Sequence, residues 1–163
     1  MKSLSVRGVR IDRMSNTPVV TLREEDAPRR QFEIFIGGPE AAAIKTALDD
    51  EQTPRPLTHD LFVLALERIF VVVVRVVITH VSSGTYYADI VLRHETDDEV
   101  TVSARPSDAI AIALRASCPI YAQDDLLDLV GEAIEEEEAV NTTEILDEFR
   151  DFIENISPED FGA

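Results

Sequence analysis

Two short segments of the chain combine arginine, hydroxyl, histidine and carboxylate side chains. The first reads "PRPLTHDL" (residues 54–61), and the second lies at the head of "SARPSDAIAIALRASCPIY" (residues 103–121). Histidine acts as a general acid or base, and arginine binds phosphate through paired N–H groups. If folding joins the two segments, His59 would serve as acid or base, and Arg55 or Arg105 would hold a phosphate.

The carboxylates indicate a possible metal site. Asp60, Asp89 and Asp108 supply the hard oxygen ligands that Mg²⁺ and Mn²⁺ prefer, and an ion held by them would polarise a phosphodiester. This hypothesis requires that all three lie around one cleft. A purely structural interpretation stays open beside it, because Asp60 and Asp108 occur where helix caps belong and Arg105 can pair locally with Asp108.

Other chemistry is not indicated by the sequence. It contains no phosphate-binding glycine loop, dinucleotide fingerprint or paired-cysteine motif, so no organic cofactor is expected. The single Cys118 precedes Pro119 in an apolar segment, which is typical of a buried structural thiol. His80 and His94 fall in or beside predicted strands and are interpreted as ordinary surface or core histidines.

The net charge of −17 is unevenly distributed. Residues 1–120 carry 17 acidic and 14 basic side chains, whereas residues 121–163 carry 15 acidic side chains and one basic residue, Arg150. A nucleic-acid surface needs positive charge, so only the nearly balanced body is compatible with nucleic acid. No segment resembles a signal peptide or a membrane span, and a soluble cytoplasmic protein without membrane contact is therefore expected.

Periodicity predicts the elements that position these residues. Three antiparallel strands are predicted at "SLSVRGVRIDR", "VVTLRE" and "QFEIFIG", followed by a helix that begins at Pro39. A second helix is predicted from Leu61, with Thr58 or Asp60 as its cap. The β-branched runs "VVVVRVVITHV", "GTYYADIVLRH" and "EVTVSA" predict three more strands. Alternation assigns Tyr86, Ala88, Ile90 and Leu92 to one face, and Tyr87, Asp89, Val91 and Arg93 to the other.

The segment after these strands predicts a buried helix. Pro106 cannot continue a strand but suits a helix start, with Arg105 or Ser107 as cap and Asp108 in the first turn. The following "AIAIALRA" is apolar on nearly all sides, as in a helix packed between other elements. A short strand "CPIYAQ" and a short helix "DDLLDLVGEAI" complete the body.

The C-terminal part has a different composition. Residues 131–142 form an acidic linker, and residues 143–163 are predicted to form an amphipathic helix opened by a capping box of Asn141 and Glu144. Its apolar stripe must be buried against the body, a second copy or a protein partner. The members of that stripe are Ile145, Phe149, Phe152, Ile153 and Ile156.

Three blocks of the sequence resemble the bifunctional nuclease family. They are "IFIGGPEAAAI", "PRPLTHDL", and "GTYYADIVL" running on to "SARPSDAIAIALRASCPIY", and the resemblance covers approximately residues 4–130. It implies a domain over residues 1–130. The final "EFRDFIENISPEDF" is faintly similar to a helical motif of excision-repair nuclease subunits that mediates protein contacts. The chain departs from the family at "ERIFVVVVRVVITHV", where valines replace a glycine-containing polar turn.

The resemblance implies an α+β fold in which a mixed or mostly antiparallel sheet packs against helices, with the acidic helical appendage at the C-terminus. It also implies a homodimer that cleaves DNA or RNA, whereas assistance by Mg²⁺ or Mn²⁺ is expected from the carboxylates described above. The implied catalytic residues are His59, Asp60 and Asp108. Substrate binding is assigned to Arg55, Thr58, Arg105 and Ser107. Metal binding is assigned to Glu40, Asp60 and Asp108, which match positions of the family, and to Asp89 from its carboxylate alone.

Two other classes of function stay open at this stage. One is a non-catalytic regulatory module that binds a small anion or a protein segment in the same polar cleft. The other is an adaptor whose C-terminal helix recruits a partner.

Overall fold

The computed structural model describes residues 1–94 and 98–133. Residues 134–163 lie outside the described part, so most of the acidic linker and all of the amphipathic helix remain predictions. The described residues form seven strands and four helices. In chain order these are β1 (Lys2–Asp12), β2 (Thr17–Glu24), β3 (Gln31–Phe35), α1 (Gly38–Leu48), α2 (Thr58–Arg68), β4 (Val71–Ser82), β5 (Thr85–His94), β6 (Val100–Ala104), α3 (Pro106–Ala116), β7 (Ile120–Ala122) and α4 (Asp124–Val130).

The strands form one mixed sheet, which confirms the predicted α+β class. Their order is β3-β2-β1-β7-β4-β5-β6. The first three strands form the predicted antiparallel meander, and β4, β5 and β6 form a second one. The short strand β7 joins the two meanders, because it pairs antiparallel with β1 and parallel with β4.

The β4–β5 hairpin shows how local sequence sets the register. Ser82 pairs with Thr85, and the two turn residues, Ser83 and Gly84, have φ angles of 50° and 77°. Two consecutive positive φ angles are typical of the tight turn that matches strand twist, and glycine adopts them without steric cost. The register places Ala88 and Ile90 in the main core, as the alternation predicts.

The first three helices contribute to the core on one face of the sheet. Ile44 of α1, Val63 of α2 and Ile110 of α3 are buried in the same cluster as the inward residues of the strands. Helix α3 is the most deeply buried, with seven of its eleven residues inaccessible, as its Ala- and Ile-rich sequence predicts. None of the helices in residues 1–94 and 98–133 is long and apolar enough to cross a membrane.

Two predicted helix starts need correction. Helix α2 begins at Thr58 rather than at Leu61, and Asp60 is its third residue, where it accepts a hydrogen bond from the Leu57 N–H at 2.8 Å. Helix α2 begins before Asp60 because the Asp60 carboxylate accepts from the backbone N–H of the cap residue Leu57, a donor that the helix itself leaves without a partner. Helix α1 begins at Gly38, so Pro39 is its second residue rather than its first. Of the two caps predicted for α3, Arg105 is confirmed, and Ser107 is the second residue of the helix.

Candidate functional site

The first turns of three helices meet on the helical side of the sheet. Glu40 is the third residue of α1, His59 is the second residue of α2, and Asp108 is the third residue of α3. Acidic residues are favoured at these positions because the helix dipole is positive there. We call Glu40, His59, Arg105 and Asp108 the polar cluster, since direct contacts join all four.

Arg105 links two helix starts within the polar cluster. Its Nε donates to Asp108 Oδ2 at 2.8 Å and its second terminal nitrogen to Asp108 Oδ1 at 3.1 Å, which is the predicted local pair. Its other terminal nitrogen donates to Glu40 Oε1 at 2.8 Å. The hydrogen bond from its own backbone N–H, followed by the bond from Arg105, holds the pKa of Glu40 below its ordinary value. The guanidinium charge is therefore balanced by two carboxylates.

His59 contacts the same carboxylate from the other side. Its Nε2 lies 3.3 Å from Asp108 Oδ1, and the imidazole is mostly buried. Burial alone would raise the pKa of Asp108, but the hydrogen bonds from Arg105 and His59 outweigh it and lower that pKa. An ionised carboxylate can only accept, so Nε2 is the donor, and whenever the ring is neutral Nδ1 holds the lone pair. Within the described residues, Nδ1 has no hydrogen-bond partner.

Asp60 has a different set of partners. It accepts a hydrogen bond from the Nε of Arg115, a residue of α3 that the sequence does not single out. The Arg115 side chain is only 9% exposed, and its terminal nitrogen also donates to the carbonyl oxygens of Ala43 and Ala111 at 3.0 and 2.9 Å. Burial would raise the pKa of Asp60, but the bonds from Leu57 N–H and Arg115 lower it overall. Arg115 of α3 thus links α3 to both α1 and α2, and its contact to α2 is the ion pair with Asp60.

The four carboxylates considered as metal ligands do not converge. Asp89 pairs with Val77 and Ser103 in the sheet, and it alternates with the core residues Ala88 and Ile90, so it lies on the face away from the polar cluster. No group of three or more His, Cys, Asp or Glu residues in the described ranges could hold a metal ion. Glu40 and Asp108 would have to exchange Arg105 for the ion, and Asp60 would have to leave Arg115. The residues as arranged do not fit a Mg²⁺ or Mn²⁺ site.

Arg55 and Thr58 are exposed near the start of α2. In the part of the chain that the structure describes, the guanidinium of Arg55 forms no ion pair or hydrogen bond. Arg55 lines a cavity of about 470 Å³ together with Asp60 and Arg115. The same cavity is also lined by Asp50, Glu51 and Glu67, so Arg55 is a free cation at an otherwise acidic opening.

A second cavity of about 430 Å³ adjoins the polar cluster. Glu40 and Arg105 form part of its lining, and so does Ser107, which is only 6% exposed. Gly37 lies at its edge, and a Cβ atom at this position would approach Glu40 Oε2 to 2.2 Å. The absence of a side chain at Gly37 therefore allows the Glu40 carboxylate to fold back toward Arg105.

The arrangement can perform general base chemistry. A histidine oriented by a carboxylate can take a proton from water, and the carboxylate then stabilises the imidazolium that forms. Of the residues predicted to form the site, the structure brings together His59, Asp108, Arg105, Glu40 and Ser107. Thr58 precedes His59 at the start of α2, whereas Arg55 lines the other cavity together with Asp60 and Arg115. Asp60 is held by Arg115, and Asp89 lies on the opposite face of the sheet.

Comparisons with known proteins show what the chain is similar to. The model of the bifunctional nuclease domain matches residues 20–135, a segment that contains the whole polar cluster. Two proteins from two strains of Mycobacterium tuberculosis, Uncharacterized protein MT1877 and Uncharacterized protein Rv1829, are each 38% identical to the chain over 169 residues. These alignments cover 100% of this chain and 99% of each relative.

Proposed function

Because the chain belongs to the bifunctional nuclease domain family, we propose that it hydrolyses phosphodiester bonds of DNA or RNA at the polar cluster. Membership of that family indicates a nuclease-like or nucleic-acid-binding function. The observation that carries the catalytic proposal is the contact between His59 Nε2 and Asp108 Oδ1. It leaves one imidazole nitrogen free to act as a base.

In the proposed reaction, Nδ1 of His59 takes a proton from a water molecule, and the oxygen of that water attacks phosphorus. A new P–O bond forms to that oxygen while the ester P–O bond breaks. The imidazolium then returns the proton to the leaving oxygen, and Asp108 stabilises the charged ring in between. The free guanidinium of Arg55 and the exposed hydroxyl of Thr58 hold the phosphate, since neither group has a side-chain partner in the described residues.

Assistance by Mg²⁺ or Mn²⁺ is a separate part of the proposal. Such an ion would supply positive charge to the phosphate oxygens and polarise them. In the present arrangement Arg105 occupies the carboxylates of Glu40 and Asp108 that would serve as ligands. Assays with each ion and with a chelator therefore test whether the cluster acts as it stands or needs a cation.

A binding module is the second candidate function. The supporting observation is that two carboxylates bind the single guanidinium of Arg105, so these three groups provide no net positive charge for a phosphate. This candidate predicts that a ligand raises the melting temperature of the protein without being consumed.

We also propose a homodimer. Several large apolar side chains of α2 and the segment that follows it are exposed, among them Leu61, Ile69 and Phe70. Patches of this kind often mark protein contacts. Light scattering should give a mass of two chains of 18.1 kDa, and Leu61→Glu should give a single chain. A single chain for the unmodified protein would contradict the proposal.

A protein partner of the C-terminal helix is likewise proposed, and removal of residues 134–163 should abolish binding of that partner.

The catalytic proposal is tested by cleavage of labelled single-stranded and duplex DNA and RNA by highly purified protein. Each substrate is assayed with Mg²⁺, with Mn²⁺ and with a chelator. His59→Ala should lower the rate by about 100-fold or more, the usual contribution of a general base. His80→Ala is the matched control, because His80 is an exposed histidine that stacks on Tyr87 and is absent from the polar cluster. Equal rates for His59→Ala and the unmodified protein would contradict the proposal, and no cleavage of any substrate would favour the binding module.

A further inference from the structure

The cavity of about 430 Å³ beside the polar cluster has the dimensions of a small-molecule site. Three parts of the chain enclose it: the end of β3 with the start of α1, the β4–β5 turn, and the start of α3. It shares Glu40 and Arg105 with the polar cluster. A sugar held in this cavity would therefore lie next to a phosphate bound at the cluster.

The Glu40 carboxylate brings a hydrogen-bond acceptor to this cavity. Its Oε1 accepts from Arg105 at 2.8 Å, and its Oε2 is folded over Gly37, where an added Cβ atom would collide with it. Gly37 is itself part of the lining. The hydrogen bonds from its own backbone N–H and from Arg105 lower the pKa of Glu40, so the group is ionised at neutral pH. An ionised carboxylate can only accept, and a ligand that contacts it must donate a hydrogen bond.

Ser107 is a buried polar group that lacks a partner. It is 6% exposed, and its hydroxyl forms no hydrogen bond to any residue in the described ranges. The hydroxyl is also absent from the buried atoms that are cut off from both solvent and partners, a set that contains only Arg23 Nε among the described residues. The Ser107 hydroxyl therefore remains accessible at the cavity that Ser107 lines, where it can donate to a ligand.

Tyr86 supplies a second hydroxyl from the sheet. It alternates with the core residues Ala88 and Ile90 in β5, so the register places its ring on the helical face. The ring stacks on Phe32 of β3 with a centroid distance of 5.9 Å, which fixes its position beside the cavity that it lines. Within residues 1–94 and 98–133 its hydroxyl has no hydrogen-bond partner and is not sealed from solvent. Burial raises the pKa of Tyr86, so this hydroxyl keeps its proton.

The lining distinguishes a sugar hydroxyl from a phosphate. The Glu40 carboxylate would repel a second phosphate, and Glu40 and Asp108 already occupy the first turns of their helices. A ribose 2′-hydroxyl is neutral, and it can donate to a carboxylate while it accepts from other hydroxyls. Acidic residues bind this hydroxyl in the same way in dinucleotide-binding folds. Deoxyribose lacks the group, and it is the atom by which a protein tells RNA from DNA.

We propose that this cavity is a ribose subsite, in which a 2′-hydroxyl of the substrate strand donates to Glu40 and accepts from Ser107 and Tyr86. The adjoining phosphate lies at the polar cluster, and the preferred substrate is RNA. This inference rests on the proposed function, since it names the strand that the same site holds.

The test measures binding separately from cleavage. All proteins are full-length and carry His59→Ala, so that the strands survive, and binding is followed by fluorescence anisotropy. The probes are three short labelled oligocytidylates of equal length: an RNA strand, a DNA strand and a 2′-fluoro strand. The 2′-fluoro strand keeps the sugar conformation of RNA but cannot donate a hydrogen bond, so it separates the hydroxyl from the shape of the strand.

Three variants remove the proposed contacts one at a time. Glu40→Ala removes the acceptor, and Ser107→Ala and Tyr86→Phe each remove one hydroxyl. Tyr87→Phe is the matched control, because this neighbouring tyrosine points to the other face of the sheet and stacks on His80. Melting temperatures verify that each variant is folded.

We expect the RNA strand to bind about tenfold more tightly than the DNA and 2′-fluoro strands, the usual effect of one hydrogen bond to a charged group. Glu40→Ala should abolish this preference, Ser107→Ala and Tyr86→Phe should each reduce it to about threefold, and Tyr87→Phe should leave it unchanged. Equal binding of RNA and DNA would overturn the subsite, and so would RNA-like binding of the 2′-fluoro strand or failure of every strand to bind. A preference that survives in folded Glu40→Ala, or in both hydroxyl variants, would also overturn it.

A parallel cleavage assay without His59→Ala keeps the two proposals apart. A preference for RNA that depends on Glu40, with no cleavage of any strand by the unmodified protein, would retain the subsite and reject the nuclease. Cleavage that is lost in His59→Ala, with equal binding of RNA and DNA, would retain the nuclease and reject the subsite.

Discussion

His59 Nε2 lies 3.3 Å from Asp108 Oδ1, so residues 49 positions apart in the sequence share one hydrogen bond. The contact joins the first turn of α2 to the first turn of α3, and Arg105 extends it to Glu40 of α1. Three helix starts are thereby fixed relative to one another. The position of the imidazole therefore depends on all three of them.

Gly37 is expected to control the position of Glu40. An alanine Cβ at this position would approach Glu40 Oε2 to 2.2 Å, so Gly37→Ala should displace the carboxylate from Arg105 and slow cleavage by about threefold to tenfold. Its φ of −74° is one that alanine adopts readily, so the variant should fold. Gly38→Ala is the matched control, because a Cβ there meets no atom within 4 Å. Equal cleavage rates for the two variants would show that Glu40 does not position the cluster.

Glu24 is expected to be a major stabilising residue far from the site. Its side chain is 1% exposed and accepts hydrogen bonds from Arg30 Nε at 2.9 Å and from a terminal nitrogen at 3.0 Å. Glu24→Gln should lower the free energy of unfolding by about 2 kcal/mol, because it removes the buried one of the two carboxylates that bind the mostly buried Arg30 guanidinium and leaves only the exposed Asp128. Denaturant titration measures the change, and Glu25→Gln at an exposed neighbour is the control. A loss no larger than that of the control would contradict the expectation.

The effect of Glu24→Gln should depend on pH in a definite direction. The hydrogen bonds from Arg30 hold the pKa of Glu24 below its ordinary value of 4.5. A carboxyl group whose pKa is lowered on folding contributes stability above its unfolded pKa and loses it as pH falls through the folded one. The difference in the free energy of unfolding between the unmodified protein and Glu24→Gln should therefore be largest at pH 7 and decrease below pH 4.5. A difference that grows on acidification would be inconsistent with the pair.

Cys118 should be unreactive in the folded protein. Burial raises the pKa of its thiol to about 11 from the ordinary 9.0, so about a hundredfold less thiolate is present at pH 8. Alkylation of the folded protein by iodoacetamide, measured by mass spectrometry, should be slower by about that factor than alkylation of the protein unfolded in urea. Equal rates in both conditions would show that the thiol is accessible and not the structural residue that the sequence indicates.

The elements of the described part were predictable because each has a strong local signal. Alternation within β5 correctly places Ala88 and Ile90 toward the core, and the Ala- and Ile-rich composition of α3 predicts its burial. The same alternation places Asp89 on the opposite face of the sheet. The sequence alone therefore argued against a position of Asp89 in the cleft. No local pattern predicts that β7 lies between β1 and β4. Each pairing involves only three residues of β7, and its partners are distant in the sequence.

The candidate site was predictable in its residue types but not in its pairing. The local pair of Arg105 and Asp108 follows from their spacing of three residues at a helix start. The bonds from Arg105 to Glu40 and from Arg115 to Asp60 join separate helices, and the sequence provides no spacing rule for them. Arg115 was missed for this reason, since a basic residue in a last helical turn is ordinarily explained by the dipole alone.

The most direct test of the account is whether His59 and Asp108 act as one unit in cleavage. Single-turnover rates are measured for the unmodified protein, His59→Ala, Asp108→Asn and the double variant, with melting temperatures to verify folding. If Asp108 acts by orienting the imidazole, the double variant should be no slower than His59→Ala, because the effects of groups that act together are not additive. Rate losses that multiply in the double variant would contradict the account, as would Asp108→Asn at the unmodified rate.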